Sequence, residues 1–277
     1  MLFLWIAIAS LLFSLIGCAC TGAFTSLSWQ WMLPVGFVVS FLLLVVVAFL
    51  FLLYLCSRVD QNVEQEKDDP LYRKVTNLYI QSVLPLLKLH VKTKGMEKVP
   101  TNGRFMLVCN HTSISDPILL LYAMPKSQLA FISKKENSDM FVIGPMMHKL
   151  QCQLINREND REALKTILKC IEILKEDKAS IGVFPEGGIN DDLKFHHFRP
   201  GVFKIAQKTK VPIVVCTLKN TKDVVDNILR YKRSDVELAV LQVVQPEEFE
   251  GVTTVELANR IHKIMADDLG PDEVAQD

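Results

Sequence analysis

The sequence predicts an α/β fold: a mostly parallel sheet flanked by helices, preceded by an N-terminal two-helix transmembrane hairpin. Three observations carry this. The first 57 residues hold no charged side chain and contain two long apolar runs. From residue 104, short apolar, β-branched runs alternate with amphipathic helical patterns. Those runs are apolar on both faces, which suits strands covered by helices on each side.

The apolar runs are "LFLWIAIASLLFSLIGCAC" (2–20) and "WMLPVGFVVSFLLLVVVAFLFLLYLC" (31–56). A helix needs about 20 apolar residues to cross a bilayer core. The first run also fits a cleaved signal peptide, but it lacks a charged side chain at its start and a second span follows. Two retained spans put both ends on one side. Arg58, Lys67, Arg73 and Lys74 follow the second span and favour a cytoplasmic body, with the anchor in the cell (plasma or inner) membrane. Trp29 and Trp31 suit headgroup depth at the far turn.

Residues 60–70, "DQNVEQEKDDP", read as a juncture. Residues 72–95 mix leucines with Arg73, Lys74, Lys88, Lys92 and Lys94. They read as an interfacial amphipathic helix with a basic face, or as an ordinary packed helix broken near Pro85. The domain division is then 1–57 for the two-span anchor, 58–95 for linker and interfacial helix, and 96–277 for the α/β domain.

Expected strands are 104–110, 128–133, 151–157, 180–187, 211–218 and 236–244. Helical patterns fall at 160–177, 199–210 and 253–270, the last opening on a Thr253–Glu256 capping box. The 31 basic and 31 acidic residues cancel, which argues against a nucleic-acid partner. Seven scattered cysteines, with no CxxC pair in the soluble part, indicate a reducing compartment and no structural zinc. HExxH is absent, and His196–His197 has no partner at ligand spacing, so no metal site is expected.

In parallel sheets, ligands gather at the carboxyl ends of strands. The polar residues ending these strands are Asn110 and His111, Lys134 and Lys135, Asn156 and Arg157, and Glu186 with Gly187 and Gly188. In "NHTSISD" a four-residue turn can fold Asp116 onto His111. An aspartate on one ring nitrogen fixes the tautomer and frees the other nitrogen to take a proton. Asp116 before Pro117 also suits a helix cap. There is no GxSxG elbow, so the histidine would activate a substrate hydroxyl or water. Arg157 suits a phosphate oxygen pair, or a salt bridge to Glu158, Asp160 or Glu162. Lys134 and Lys135 also read as solvated surface cations. Glu186, flanked by glycine, can accept hydrogen bonds from a polyol or order nearby cations, and the glycines permit close backbone approach. Gly188-Ile189 stands where a P-loop needs Lys and Ser/Thr, which rejects nucleotide phosphate binding.

These blocks resemble the glycerolipid acyltransferase superfamily, and within it the bacterial 1-acyl-sn-glycerol-3-phosphate acyltransferases. "NHTSISD" matches its histidine–aspartate block, "QLINREND" the strand ending in arginine, and "FPEGG" the Phe-Pro-Glu-Gly block. "FHHFRPGVFKIAQKTKVPIVV" is similar to its Phe-Lys-x-Gly and Val-Pro-Ile-x-Pro regions, and the likeness covers roughly residues 72–245. The resemblance implies an O-acyltransferase of phospholipid biosynthesis. His111, oriented by Asp116, would deprotonate a lysophospholipid hydroxyl. That oxygen would attack an acyl-CoA or acyl-carrier-protein thioester, with no bound cofactor. Lys134, Arg157 and Arg199 would hold the acceptor phosphate, Glu186 would position its glycerol, and backbone amides near Gly187 are oxyanion donors to consider. Two departures stand out. Gly188-Ile189-Asn190 replaces the usual Thr-Arg-Ser, so Arg199 or Lys194 would have to supply the missing cation. Cys216 replaces a proline. Acceptor alternatives are therefore glycerol-3-phosphate or another lysophospholipid. An acyl-thioester hydrolase and a silent membrane scaffold are the rival classes.

Overall fold

The computed structural model describes residues 1–156 and 159–275. The chain forms two compact units, Met1–Asp60 and Gln61–Asp277. The first is a helical hairpin of α1 (Leu2–Cys20) and α2 (Trp29–Ser57). Both helices are long and apolar enough to cross a membrane. Small residues let them approach closely. A Cβ on Gly36 would stand 2.8 Å from the Ser14 hydroxyl, and that hydroxyl donates to Leu33 O at 2.6 Å.

The second unit opens on α3 (Pro70–Leu86), capped by Asp69, whose carboxylate accepts from the Leu71 and Tyr72 amides. Here the single-helix reading of 72–95 is corrected. The helix stops at Leu86, Lys88 takes a left-handed φ of +57°, and Leu89–Lys94 becomes strand β1. The reason is alternation: Leu89 is buried while His90 is exposed, a period-two face that pays best in a sheet. Nor is the basic face of α3 uniform. Arg73 is buried, pairs with Asp68 at 2.8 Å and donates to Leu129 O at 2.8 Å.

The remaining strands are β2 (Met106–Val108), β3 (Leu129–Lys134), β4 (Gln153–Ile155), β5 (Ser180–Val183), β6 (Ile213–Lys219) and β7 (Ser234–Val244). They pair in the order β1-β7-β6-β2-β5-β3-β4. Every pairing is parallel except β6 with β7. The carboxyl ends of β6, β2, β5, β3 and β4 therefore share one edge, and the amino ends of β7 and β1 lie on that same edge.

The helices are α4 (Asp116–Ala123), α5 (Ile143–Lys149), α6 (Asp160–Lys175), α7 (Lys204–Thr209), α8 (Val224–Leu229) and α9 (Thr254–Leu269). The expected helix at 199–210 splits into a short 3-10 turn, Pro200–Phe203, followed by α7. The Thr253–Glu256 capping box forms as expected. One face of the sheet buries Ile173, Phe203 and Ile261 from α6, the 3-10 turn and α9. The other buries Leu84, Leu119 and Val224 from α3, α4 and α8. Burial of each such side chain contributes about 1.5–3 kcal/mol, so the sheet edge carrying the polar strand ends rests on a packed support.

Candidate active site

At the end of β2 the backbone turns outward, and Asn110 fixes that exit. Its amide donates to Leu218 O at 2.9 Å, and its Oδ1 accepts from Leu218 N at 2.8 Å. This two-bond clasp to β6 stands where the regular ladder ends. Two residues further, the Thr112 and Thr221 hydroxyls are 2.7 Å apart.

His111 follows. Its Nδ1–H donates to Asp116 Oδ2 at 2.9 Å. The same oxygen accepts from the Thr112 and Ser113 amides, each at 2.9 Å. Asp116 is fully buried at the first turn of α4. It faces back over its own loop instead of capping the helix, so the turn encodes the pairing. Oδ1 is buried with no partner among the described residues. Three donors on one oxygen must therefore offset the desolvation of this carboxylate. His111 Nε2 has no partner among the described residues.

The imidazole is held from a second side. Phe184, after β5, stacks on it with centroids 4.2 Å apart and 21° between planes. Phe131 stacks behind Phe184 at 5.9 Å. Gly182 makes this possible, because a Cβ there would collide with the Phe131 ring. Phe184 carried no role in the sequence reading. Its position at a strand end inside "FPEGG" was the available signal.

Glu186 is nearly buried and turned inward. Oε1 accepts from the His111 amide at 2.8 Å. Oε2 accepts from the His196 amide at 3.0 Å and the Asn190 side chain at 3.1 Å. Burial raises its pKa from 4.5 to about 7, against the lowering pull of the two amides. Gly187 takes a φ of +89°, and a Cβ there would stand 2.6 Å from Arg199 Nε. Glycine is needed at this turn for its backbone conformation and to let the guanidinium lie alongside. The Gly187 amide donates to Phe184 O at 3.0 Å, so it is engaged within the turn.

Arg199 itself is exposed, anchored by its amide to Pro185 O at 2.8 Å. Among the described residues no carboxylate pairs with its side chain. Lys134 is exposed at the end of β3 and is likewise without an ion-pair partner among them. Arg157 lies outside the described residues. Beside the dyad, an apolar groove of about 310 Å³ runs between α3, α4 and α8. Ser115 and Ile118 line one part of it, and Leu87, Leu89 and Ile228 another.

The arrangement places a carboxylate-oriented imidazole, exposed cations and an apolar groove along one sheet edge. It can move a proton next to an anionic, partly aliphatic molecule. Residues 90–219 match the sequence model of the acyltransferase family. The chain is 25% identical over 252 residues to a probable 1-acyl-sn-glycerol-3-phosphate acyltransferase of Mycoplasma genitalium, covering 83% of this chain and 92% of that one. It is 27% identical over 189 residues to the yeast (Saccharomyces cerevisiae) 1-acyl-sn-glycerol-3-phosphate acyltransferase, covering 66% of this chain and 61% of the yeast protein. Among solved structures, it shares the fold of PlsC, the 1-acyl-sn-glycerophosphate acyltransferase of Thermotoga maritima. The TM-score is 0.61 at 22% identity, over 79% of this chain and 86% of that one.

Proposed function

We propose that this chain, which carries an acyltransferase domain over residues 90–219, moves a fatty acyl group onto the free sn-2 hydroxyl of 1-acylglycerol-3-phosphate, giving phosphatidic acid. The donor is acyl-CoA or an acyl-carrier-protein thioester. The observation that carries the reading is the 2.9 Å bond from His111 Nδ1 to a fully buried Asp116. It leaves Nε2 as the base.

The chemistry follows from that bond. Nε2 takes the hydroxyl proton as the oxygen attacks the thioester carbon. The imidazolium that forms is stabilised by Asp116. The tetrahedral intermediate then expels the thiolate, which takes the proton back from Nε2. An ester and a free thiol result, and no metal or bound cofactor enters the scheme. Arg199 and Lys134, exposed and without an ion-pair partner among the described residues, are suited to the acceptor phosphate. Arg157 is assigned to the same phosphate on its sequence position alone. Glu186 and Gly187 shape the turn that presents Arg199, and Glu186 also braces the His111 backbone. The apolar groove beside Ser115 suits an acyl chain. The two apolar helices support a cell-membrane location, with the transferase unit on the cytoplasmic side where acyl thioesters arise.

The test is an assay of detergent-solubilised protein with 1-acylglycerol-3-phosphate and each acyl-thioester class, following phosphatidic acid and thiol together. Matched release of both, lost in His111→Ala, is expected. Thiol release without a lipid product would replace the reading with a hydrolase or another acceptor.

A further inference from the structure

The edge of the sheet that carries His111 also carries exposed apolar side chains. Ile114, inside the catalytic turn, is 71% exposed, and Phe141, between β3 and α5, is 67% exposed. The loop from α8 to β7 exposes five consecutive residues, Leu229 to Arg233. Leu229 is 80% and Tyr231 61% exposed. Scattered singly, such residues are ordinary on a water-soluble surface. Here three separate loops present them on one edge.

Cations are interleaved with them. Lys88 lies 3.8 Å over the Tyr231 ring and donates to Tyr231 O at 3.3 Å. Arg230 and Lys232 point from the same loop and have no ion-pair partner among the described residues, whereas Arg233 is paired with Asp235 at 2.6 Å. Leucine and tyrosine set among unpaired lysine and arginine match the two layers of an anionic bilayer surface, acyl boundary and headgroup. The same chain carries two helices of membrane-spanning length. A bilayer is thus the surface this unit meets at the highest effective concentration.

We propose that the Leu229–Arg233 loop with Lys88 is a second membrane contact, which seats the active-site edge on an anionic lipid surface independently of the two apolar helices. The contact concerns a bilayer and holds whichever lipid is the acceptor. Its test therefore uses no activity readout.

The three native tryptophans, Trp5, Trp29 and Trp31, are replaced by phenylalanine in the full chain, and one probe, Tyr231→Trp, is added. A control chain carries Val255→Trp instead. Val255 is 53% exposed at the start of α9, a helix whose far end meets the active-site edge through Lys219 and Asp268, 3.0 Å apart. The control thus sits at the opposite edge. Both chains are reconstituted in vesicles containing brominated lipids, with and without phosphatidylglycerol. The expected result is strong quenching of the Tyr231→Trp probe in anionic vesicles and little for the control. Adding Lys88→Gln, Arg230→Gln and Lys232→Gln should cut that quenching about twofold or more. Equal quenching of both probes, or none of the first, overturns the proposal. So does a probe untouched by lipid whose emission is shifted by an acyl-carrier protein, which would make the loop a dock for an acidic protein.

Discussion

The His111–Asp116 pair and the cations Lys134 and Arg199 are held in opposite ways. Asp116 is fully buried and spends one oxygen on three donors, while His111 is clamped by a ring and by the carboxylate beneath it. Lys134 and Arg199 are exposed and lack ion partners among the described residues. The difference teaches where preorganisation matters. A proton transfer gains from a fixed tautomer and short distance before substrate arrives. A phosphate brings its own charge and can order a flexible cation on contact. Breaking each half should therefore leave a different signature.

The largest effect belongs to the dyad. His111→Ala should lower kcat by about 10²–10⁴-fold and also cost stability, because Asp116 loses one of its three donors and Phe184 its stacking partner. Asp116→Asn should cost comparable rate, and it too should cost stability. The Thr112 and Ser113 amides would lose a charged acceptor, a loss of about 1.5–3 kcal/mol. Kinetics and thermal melts on the pair measure the two costs. An Asp116→Asn chain at full rate would break the contrast, since the carboxylate would then be only a fold element.

Glu186 tests whether the brace belongs to the buried half. Its folded pKa is raised from 4.5 to about 7 by burial. Below the lower value both folded and unfolded states are protonated, and nothing is gained or lost. As pH rises from about 4.5 to about 7 the unfolded chain releases a proton that the folded chain keeps. Stability therefore falls across that window, by about 3 kcal/mol in total. Glu186→Gln should flatten this slope in denaturant titrations run from pH 5 to 8. A slope unchanged in the variant would assign it to other groups.

The legibility of the sequence follows the same division. Strand positions and the two-sided burial came from runs of β-branched residues, because a covered parallel strand leaves no alternation to confuse, whereas the strand order did not. The dyad was legible because its partners are five residues apart and a single turn joins them. Residues 89–94 were misread. "LHVKTK" carries lysines at helical spacing relative to α3, its alternation is short, and its pairing with β7 completes it as a strand. The Asn110–Leu218 clasp and the Thr112–Thr221 pair join residues more than a hundred positions apart, and nothing local marks them. Glu186 was recognised as a special carboxylate, but its inward direction depends on the His111 and His196 amides that topology brings to it.

The exposed cations should give the smallest and cleanest effects. Arg199→Gln should raise the KM for 1-acylglycerol-3-phosphate about tenfold, the low end for a charge-assisted hydrogen bond at an exposed site, with kcat nearly unchanged. Lys134→Gln should raise it about threefold, since a solvated ammonium is a point charge without the two-pronged geometry. Neither should shift the melting temperature, because neither side chain has an ion-pair partner to lose among the described residues. Salt discriminates further: raising ionic strength should weaken acceptor binding in the parent chain and less so in Arg199→Gln, as one screened attraction is already gone. If Arg199→Gln instead lowered kcat with KM unchanged, the guanidinium would be acting on charge that develops only in the transition state. It would then belong with His111 in the preorganised half, and the backbone bond of Arg199 to Pro185 O would be the device that holds it there.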